Sequence, residues 1–197
     1  MKKVLLSLLT LLLLSDYMNA QTTTKPIRPA SIGISFILND FETPARIRST
    51  SFGAVRRDDR WLPFREQSPG IALSYFRGIT PHIDFAGTLA GSFVSYATEN
   101  KPNTTSDAFL LEADASANFK LFSENYSVTP YAIGGVGASM YRSSFGAFMP
   151  LGLGLKLNLY KESDILLTFQ YRVPVTTQTT AYHFFTSLGI TGLLDKD

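Results

Sequence analysis

The chain has 197 residues, of which 45% are hydrophobic, 13% aromatic and only 17% charged. Soluble proteins carry roughly 25% charged residues, so this chain is short of charge, yet it is too apolar to remain disordered. It has no cysteine, which excludes a disulfide scaffold and a lipid-modified N-terminal cysteine. Its 18 basic and 16 acidic side chains leave no surplus that would call for a nucleic-acid partner.

Residues 1–20 read as a secretory signal peptide. Lys2 and Lys3 supply the positive start, Val4 to Leu14 is an apolar run broken only by Ser7 and Thr10, and Ser15 to Ala20 is a polar tail ending in a small residue. The run is shorter than the roughly 20 residues a helical span requires. Residues 21–29 form a short N-terminal segment. The longest later stretch without a charge, Val173 to Leu194, is broken by Pro174, Gln178 and His183, so it does not read as a membrane-crossing helix.

From residue 30 the dominant period is two, the signature of strands with unlike faces. Eight strands are predicted, at 30–38, 69–77, 83–97, 109–122, 129–141, 147–160, 164–173 and 181–194. The clearest is the fourth, where Leu111, Ala113, Ala115, Ala117, Phe119 and Leu121 alternate with Glu112, Asp114, Ser116, Asn118 and Lys120. In the sixth, Met149, Leu151, Leu153, Leu155, Leu157 and Leu159 alternate with Pro150, Gly152, Gly154, Lys156 and Asn158. The fifth is ambiguous, because Gly134, Gly135 and Gly137 blur its two faces. Connections after odd strands run to about 30, 11, 5 and 7 residues and those after even strands to about 5, 6 and 3, an asymmetry expected of membrane barrels.

Alternation alone does not say which face points inward. A water-facing wall should be dense in Lys, Glu and Asp, whereas here the polar face is mostly Gly, Ala, Ser, Thr and Asn, residues suited to a crowded lumen. The apolar face carries Leu, Ile and Phe. Tyr75, Tyr96, Tyr131, Tyr141, Tyr160, Tyr171 and Tyr182 are expected to form aromatic girdles near the strand ends. In lipid every backbone polar group must pair within the protein, so such a sheet has to close. The fold class expected is therefore all-β, an eight-stranded antiparallel up-and-down transmembrane β-barrel over residues 30–194, with 195–197 as a C-terminal tail.

On these faces the lumen receives Asp84, Glu112, Asp114, Lys120, Lys156, Gln170, Arg172 and His183. Three acids meet three bases, the balance a narrow, dry interior demands, so these residues are read as a structural ion-pair network. An ion path is the alternative, although eight strands leave room for little beyond side chains. The first connection, 39–68, holds six arginines and the only tryptophan, and Arg56, Arg57, Arg60 and Trp61 are its candidate contact residues. As plain structure it would be a solvated loop or a strand extension.

The export signal, eight amphipathic strands and long odd connections resemble the small outer-membrane β-barrels of Gram-negative bacteria, the OmpA/OmpX-like family. The Asn19-Ala20-Gln21 junction with its threonine-rich continuation is similar to members of Bacteroidota type. One departure is the ending Leu194-Asp195-Lys196-Asp197, where such barrels often close on an aromatic residue. The resemblance implies an outer-membrane location, with 21–29 on the periplasmic side. Its implied partners are outer-membrane lipids including lipopolysaccharide, the barrel assembly machinery during biogenesis, and an extracellular partner reached through 39–68. The function implied is structural or surface-interaction: membrane integrity, adhesion or loop-mediated binding. A small-solute channel and a secreted soluble ligand-binding barrel are the alternatives.

No catalytic activity, cofactor or metal is expected. The barrel palmitoyltransferases would need an adjacent Asp-Ser, which is absent. The barrel deacylases use His-x-Ser, but His183 is followed by Phe184-Phe185-Thr186 and His82 by Ile83-Asp84.

Overall fold

A computed structural model describes residues 27–96, 107–123, 126–160 and 163–194. The expected signal peptide, the N-terminal segment up to residue 26, most of the second long connection and the tail 195–197 lie outside the described residues. The strands are β1 (Ser31–Asp40), β2 (Ser68–Thr80), β3 (Ile83–Val94), β4 (Ala108–Lys120), β5 (Val128–Tyr141), β6 (Ser144–Tyr160), β7 (Ser163–Pro174) and β8 (His183–Leu193). They form a closed barrel in chain order. β8 returns antiparallel to β1 with Ile34 opposite Ile190 and Phe36 opposite Leu188, so the sheet has no edge.

The polarity of the wall is inverted relative to a soluble barrel. Leu151 and Leu153 are 48% and 68% exposed on the outer surface, while Glu112 and Lys156 are 2% and 1% exposed inside. The same parity carries Ile32, Ile34, Leu73, Leu89, Leu167, Leu188 and Ile190 outward and Ser74, Asp84, Ser116, Asn118, Gln170, Ser187 and Thr191 inward. No helix among the described residues is long and apolar enough to cross a membrane.

The glycine-rich β5 obeys the same period, with a consequence for the tyrosines. Its odd positions face inward, so Tyr131 and Tyr141 are buried in the barrel, and Tyr96 beyond β3 is buried as well. These three do not belong to an outer girdle; Tyr75, Tyr171 and Tyr182 remain on the outer side, and the Tyr160 side chain lies outside the described set. Two inward rings, Tyr131 and Phe148, fit because each faces a residue without a side chain. Tyr131 pairs directly with Gly154, where a Cβ would stand 2.2 Å from the ring, and Phe148 pairs with Gly137, where a Cβ would stand 2.5 Å away. An aromatic ring laid over a cross-strand glycine fills the lumen without spreading the strands. Pro150, which has no N–H, falls where the β5–β6 ladder is interrupted between Gly134–Leu151 and Gly137–Phe148.

The β5–β6 connection is shorter than expected. β5 and β6 are joined by a two-residue turn, Arg142-Ser143, with φ of 49° and 64°. Positive φ at both central residues matches the right-handed twist of a tight hairpin, and β6 therefore begins earlier than its leucine pattern suggested. The end of the barrel holding residues 41–67, 95–96, 142–143 and 175–182 is hereafter the loop end, and the opposite one the turn end.

Two neighbouring glycines give opposite expectations. A Cβ at Gly135 would lie 2.4 Å from the Ala115 carbonyl oxygen and 2.7 Å from Ser116 Cα, whereas one at Gly134 meets nothing within 4 Å. Gly135→Ala should destabilise the barrel by about 1–3 kcal/mol and Gly134→Ala should stay within about 0.5 kcal/mol of the parent, as read from urea unfolding midpoints.

Candidate functional site

Two ion clusters fill the lumen, one towards each end. At the loop end, Arg172 on β7 is fully buried. Its Nη1 donates to Glu112 Oε2 at 2.6 Å, its Nη2 to Asp114 Oδ2 at 3.1 Å and its Nε to Gln170 Oε1 at 3.3 Å. Glu112 and Asp114 both come from β4, two residues apart on one face. The guanidinium is further held by aromatic faces, 3.7 Å from the Phe185 ring centre and 4.9 Å from that of Phe148. His183 Nε2 lies 3.3 Å from Glu112 Oε1, and its Nδ1 is 3.1 Å from the Ala181 carbonyl oxygen.

At the turn end, Lys120 Nζ donates to Asp84 Oδ1 at 2.6 Å. Arg28 enters from the N-terminal segment, with Nη1 3.7 Å from Asp84 Oδ2 and Nη2 donating to Asp164 Oδ2 and Thr191 Oγ1, each at 3.2 Å. Its guanidinium sits 4.4 Å from the Phe76 ring centre. The segment is laid across this end by two backbone bonds, Gly78 N to the Arg28 carbonyl and Leu194 N to the Ala30 carbonyl. Lys156 is buried towards the same end, beside Thr129 and Leu166. His82 occupies the β2–β3 turn, its Nδ1 3.3 Å from the Lys120 carbonyl oxygen.

Sequence reasoning missed Arg28 and Asp164. Asp164 carries the inward parity of Gln170 and Arg172 and could have been found by it. Arg28 precedes the first strand, where parity does not apply. The apolar fillers Ile37, Phe76, Ile133, Phe148, Leu166 and Phe185 were not anticipated either; all are buried inside. Between the clusters a residual cavity of about 30 Å³ is lined by Ser74, Thr88, Ser116, Asn118, Tyr131 and Gln170. That is room for roughly one or two waters.

The connection 41–67 folds as a cap over the loop end, neither a solvated loop nor a strand extension. It forms helix α1 (Glu42–Ser49), helix α2 (Phe52–Arg57) and a single 3-10 turn (Phe64–Glu66). Asp40 Oδ1 accepts from the Glu42 and Thr43 amides at 3.0 and 2.8 Å and so starts α1; Ser51 Oγ accepts from Ala54 N at 3.1 Å and starts α2. Thr43 Oγ1 accepts from Leu62 N, and Val55 and Leu62 are buried under the cap. Phe41 closes the mouth. Its ring stacks 4.1 Å from Tyr96 and 4.4 Å from His183, and Tyr96 stacks 4.3 Å from Tyr141. Burial first, then the charge of Glu112, hold the Tyr96 phenol above its ordinary range, so it stays neutral.

The four candidate contact residues are all exposed on this cap, but differently engaged. Arg57 and Arg60 share Asp58, with N–O separations of 3.2 and 3.9 Å. Arg56 has no acidic partner among the described residues. Trp61 is laid against the barrel wall, 6.2 Å from Phe184, with Phe52 edge-on at 6.1 Å. Among the described residues no three His, Asp or Glu are grouped to hold a metal ion.

The fold is that of the small eight-stranded outer-membrane β-barrels. The outer membrane protein OprG of Pseudomonas aeruginosa superposes with a TM-score of 0.54 over 85% of this chain and 97% of its own, at 8% identity. Neisserial surface protein A (NspA) gives 0.49 over 83% and 94%, at 14% identity. Ail, the attachment invasion locus protein of Yersinia pestis, solved with the heparin analogue sucrose octasulfate, gives 0.48 over 83% and 95%, at 14% identity. No family model and no curated protein sequence matches the chain.

Removing one partner of a buried ion cluster costs far more than removing all of them. Arg172→Met, which strands Glu112 and Asp114, should cost about 3–5 kcal/mol. The triple replacement Arg172→Met, Glu112→Gln, Asp114→Asn should recover most of that loss, both read as urea midpoints of the folded barrel.

Proposed function

We propose that this protein is an exported, outer-membrane-spanning barrel, delivered by residues 1–20, with a structural or surface-interaction role exercised through the cap at its loop end. The observation that carries the reading is the inverted wall: large apolar side chains cover the outside of a closed sheet while Arg172, Glu112, Asp114 and Lys156 are buried inside. Leaving that much apolar surface to water is unfavourable by roughly 25 cal/mol per Å², and a hydrocarbon surround removes the penalty. The even strand number puts the start of β1 and the end of β8 at the turn end, which in this reading faces the periplasm and the assembly machinery. The cap then faces outward among the outer-leaflet lipids, lipopolysaccharide included, and towards any extracellular partner.

A non-catalytic role accords with the same geometry. Glu112 and Asp114 are engaged with Arg172 deep inside the lumen, and the two ion clusters with a cavity of about 30 Å³ between them favour a closed barrel over a channel.

The mature chain should be extracted from membranes only by detergent and should migrate differently on gels with and without boiling, because a closed barrel resists unfolding in cold detergent. Recovery of a soluble, unshifted protein would overturn the membrane reading. Planar bilayers should show no steady conductance; a stable open level would favour the channel instead.

A further inference from the structure

The arginines of the cap are not equivalent. Arg46 is spent on Glu42 and on the Arg60 carbonyl oxygen, and Arg57 and Arg60 share Asp58. Arg48, in the last turn of α1, is exposed and has no acidic partner among the described residues. It is held instead by its face, with its guanidinium carbon 3.5 Å from the Tyr182 ring centre. A guanidinium stacked in this way keeps its in-plane N–H donors available, in the fork that suits a phosphate.

The rings beneath Arg48 are continuous with the outer wall. Tyr182 stacks on Tyr171 at 5.8 Å, Tyr171 packs on Phe184 at 5.4 Å, Phe184 carries Trp61, and Trp61 meets Phe52. Tyr171 is paired in the sheet with Leu151, one of the exposed wall leucines. Amphipathic rings of this kind mark the headgroup level of a bilayer. The cation therefore stands where an apolar surface gives way to water.

We propose that Arg48 on its aromatic platform binds the phosphate of an anionic lipid in the leaflet at the loop end. The inference rests on the membrane reading of the barrel and deepens it. A lipid fits better than a soluble polyanion because the platform runs into the acyl-facing wall, so one ligand can satisfy the guanidinium with its headgroup and the rings with its chains.

Trp61, the only tryptophan, reports on this patch without a label. The full-length barrel is reconstituted in phosphatidylcholine vesicles holding a minor fraction of brominated lipid, either phosphatidylglycerol or phosphatidylcholine. Brominated phosphatidylglycerol should quench Trp61 more strongly at equal mole fraction. Arg48→Gln should reduce that preference about fivefold, the weight of one basic residue at an anionic surface, whereas Arg65→Gln, an equal loss of charge elsewhere on the cap, should leave it intact. Equal quenching by the two lipids, or an Arg48→Gln barrel that keeps the preference, would overturn the proposal. So would loss of the preference on adding inorganic phosphate, which would mark a free-anion site. The boiling-dependent gel shift checks that each variant is folded. A barrel that never enters vesicles would overturn the membrane reading too, while an inserted barrel without lipid preference would overturn this inference alone.

Discussion

The constraint on which the rest depends is that the sheet may leave no backbone hydrogen-bonding group without a partner. An apolar outer wall offers nothing to an unpaired N–H or C=O, so β8 must return to β1, and it does so along the whole strand, from Ser31–Leu193 to Asp40–Phe184. Once the sheet is closed, strict alternation has only two destinations, outside and lumen, and a single-residue slip would exchange them. Charged side chains of β3, β4, β6 and β7 are thereby committed to the interior. Their pairing follows from being placed there: a buried carboxylate near an arginine is tolerated, an isolated one is not.

Volume sets the second condition. Eight strands enclose a space that side chains must fill, and the barrel fills it unevenly. Where Tyr131 and Phe148 enter, the facing strand supplies glycine, Gly154 and Gly137 respectively. Where charges enter, aromatic faces accompany them, Phe185 and Phe148 around Arg172 and Phe76 beneath Arg28. Hydroxyls bridge the remainder, as between Ser74 and Thr88 at 3.1 Å. The lumen is thus, among the described residues, a packed core of mixed polarity.

Much of this was legible in sequence. Leu151 to Leu159, and Leu111 to Leu121 set against Glu112 to Lys120, state the strand period and the sorting of faces, and the lumenal residues follow by counting in twos. Two kinds of feature did not follow. The first is the facing of β5: Tyr131 and Tyr141 have the composition of girdle residues, and only contacts with other elements, Gly154 opposite Tyr131 and the Tyr96 ring against Tyr141, reveal the room that admits them. The second is everything outside the ladder. Residues 41–67 have no period of two, so the Asp40 and Ser51 caps, the burial of Val55 and the insertion of Phe41 depend on contacts made after the barrel exists. Arg28 escapes for the same reason.

The two ends are therefore closed by different means, and the difference bears on what each can do. At the turn end the seal is made by a few residues immediately preceding β1, tied by Gly78 and Leu194 to the strand ends. Changing it changes the barrel. At the loop end, among the described residues, Phe41 is slotted between Tyr96 and His183, with Tyr96 stacked on Tyr141, while the body of the cap stands above on hydrogen bonds of its own. The solvent-facing side of that cap, with Arg56 and Arg57, can vary without disturbing any residue of the ladder, whereas Trp61 rests on Phe184 of β8. A wall fixed by backbone closure and a cap free to carry charge and aromatic surface divide the molecule into a part that answers to the bilayer and a part that can answer to a ligand.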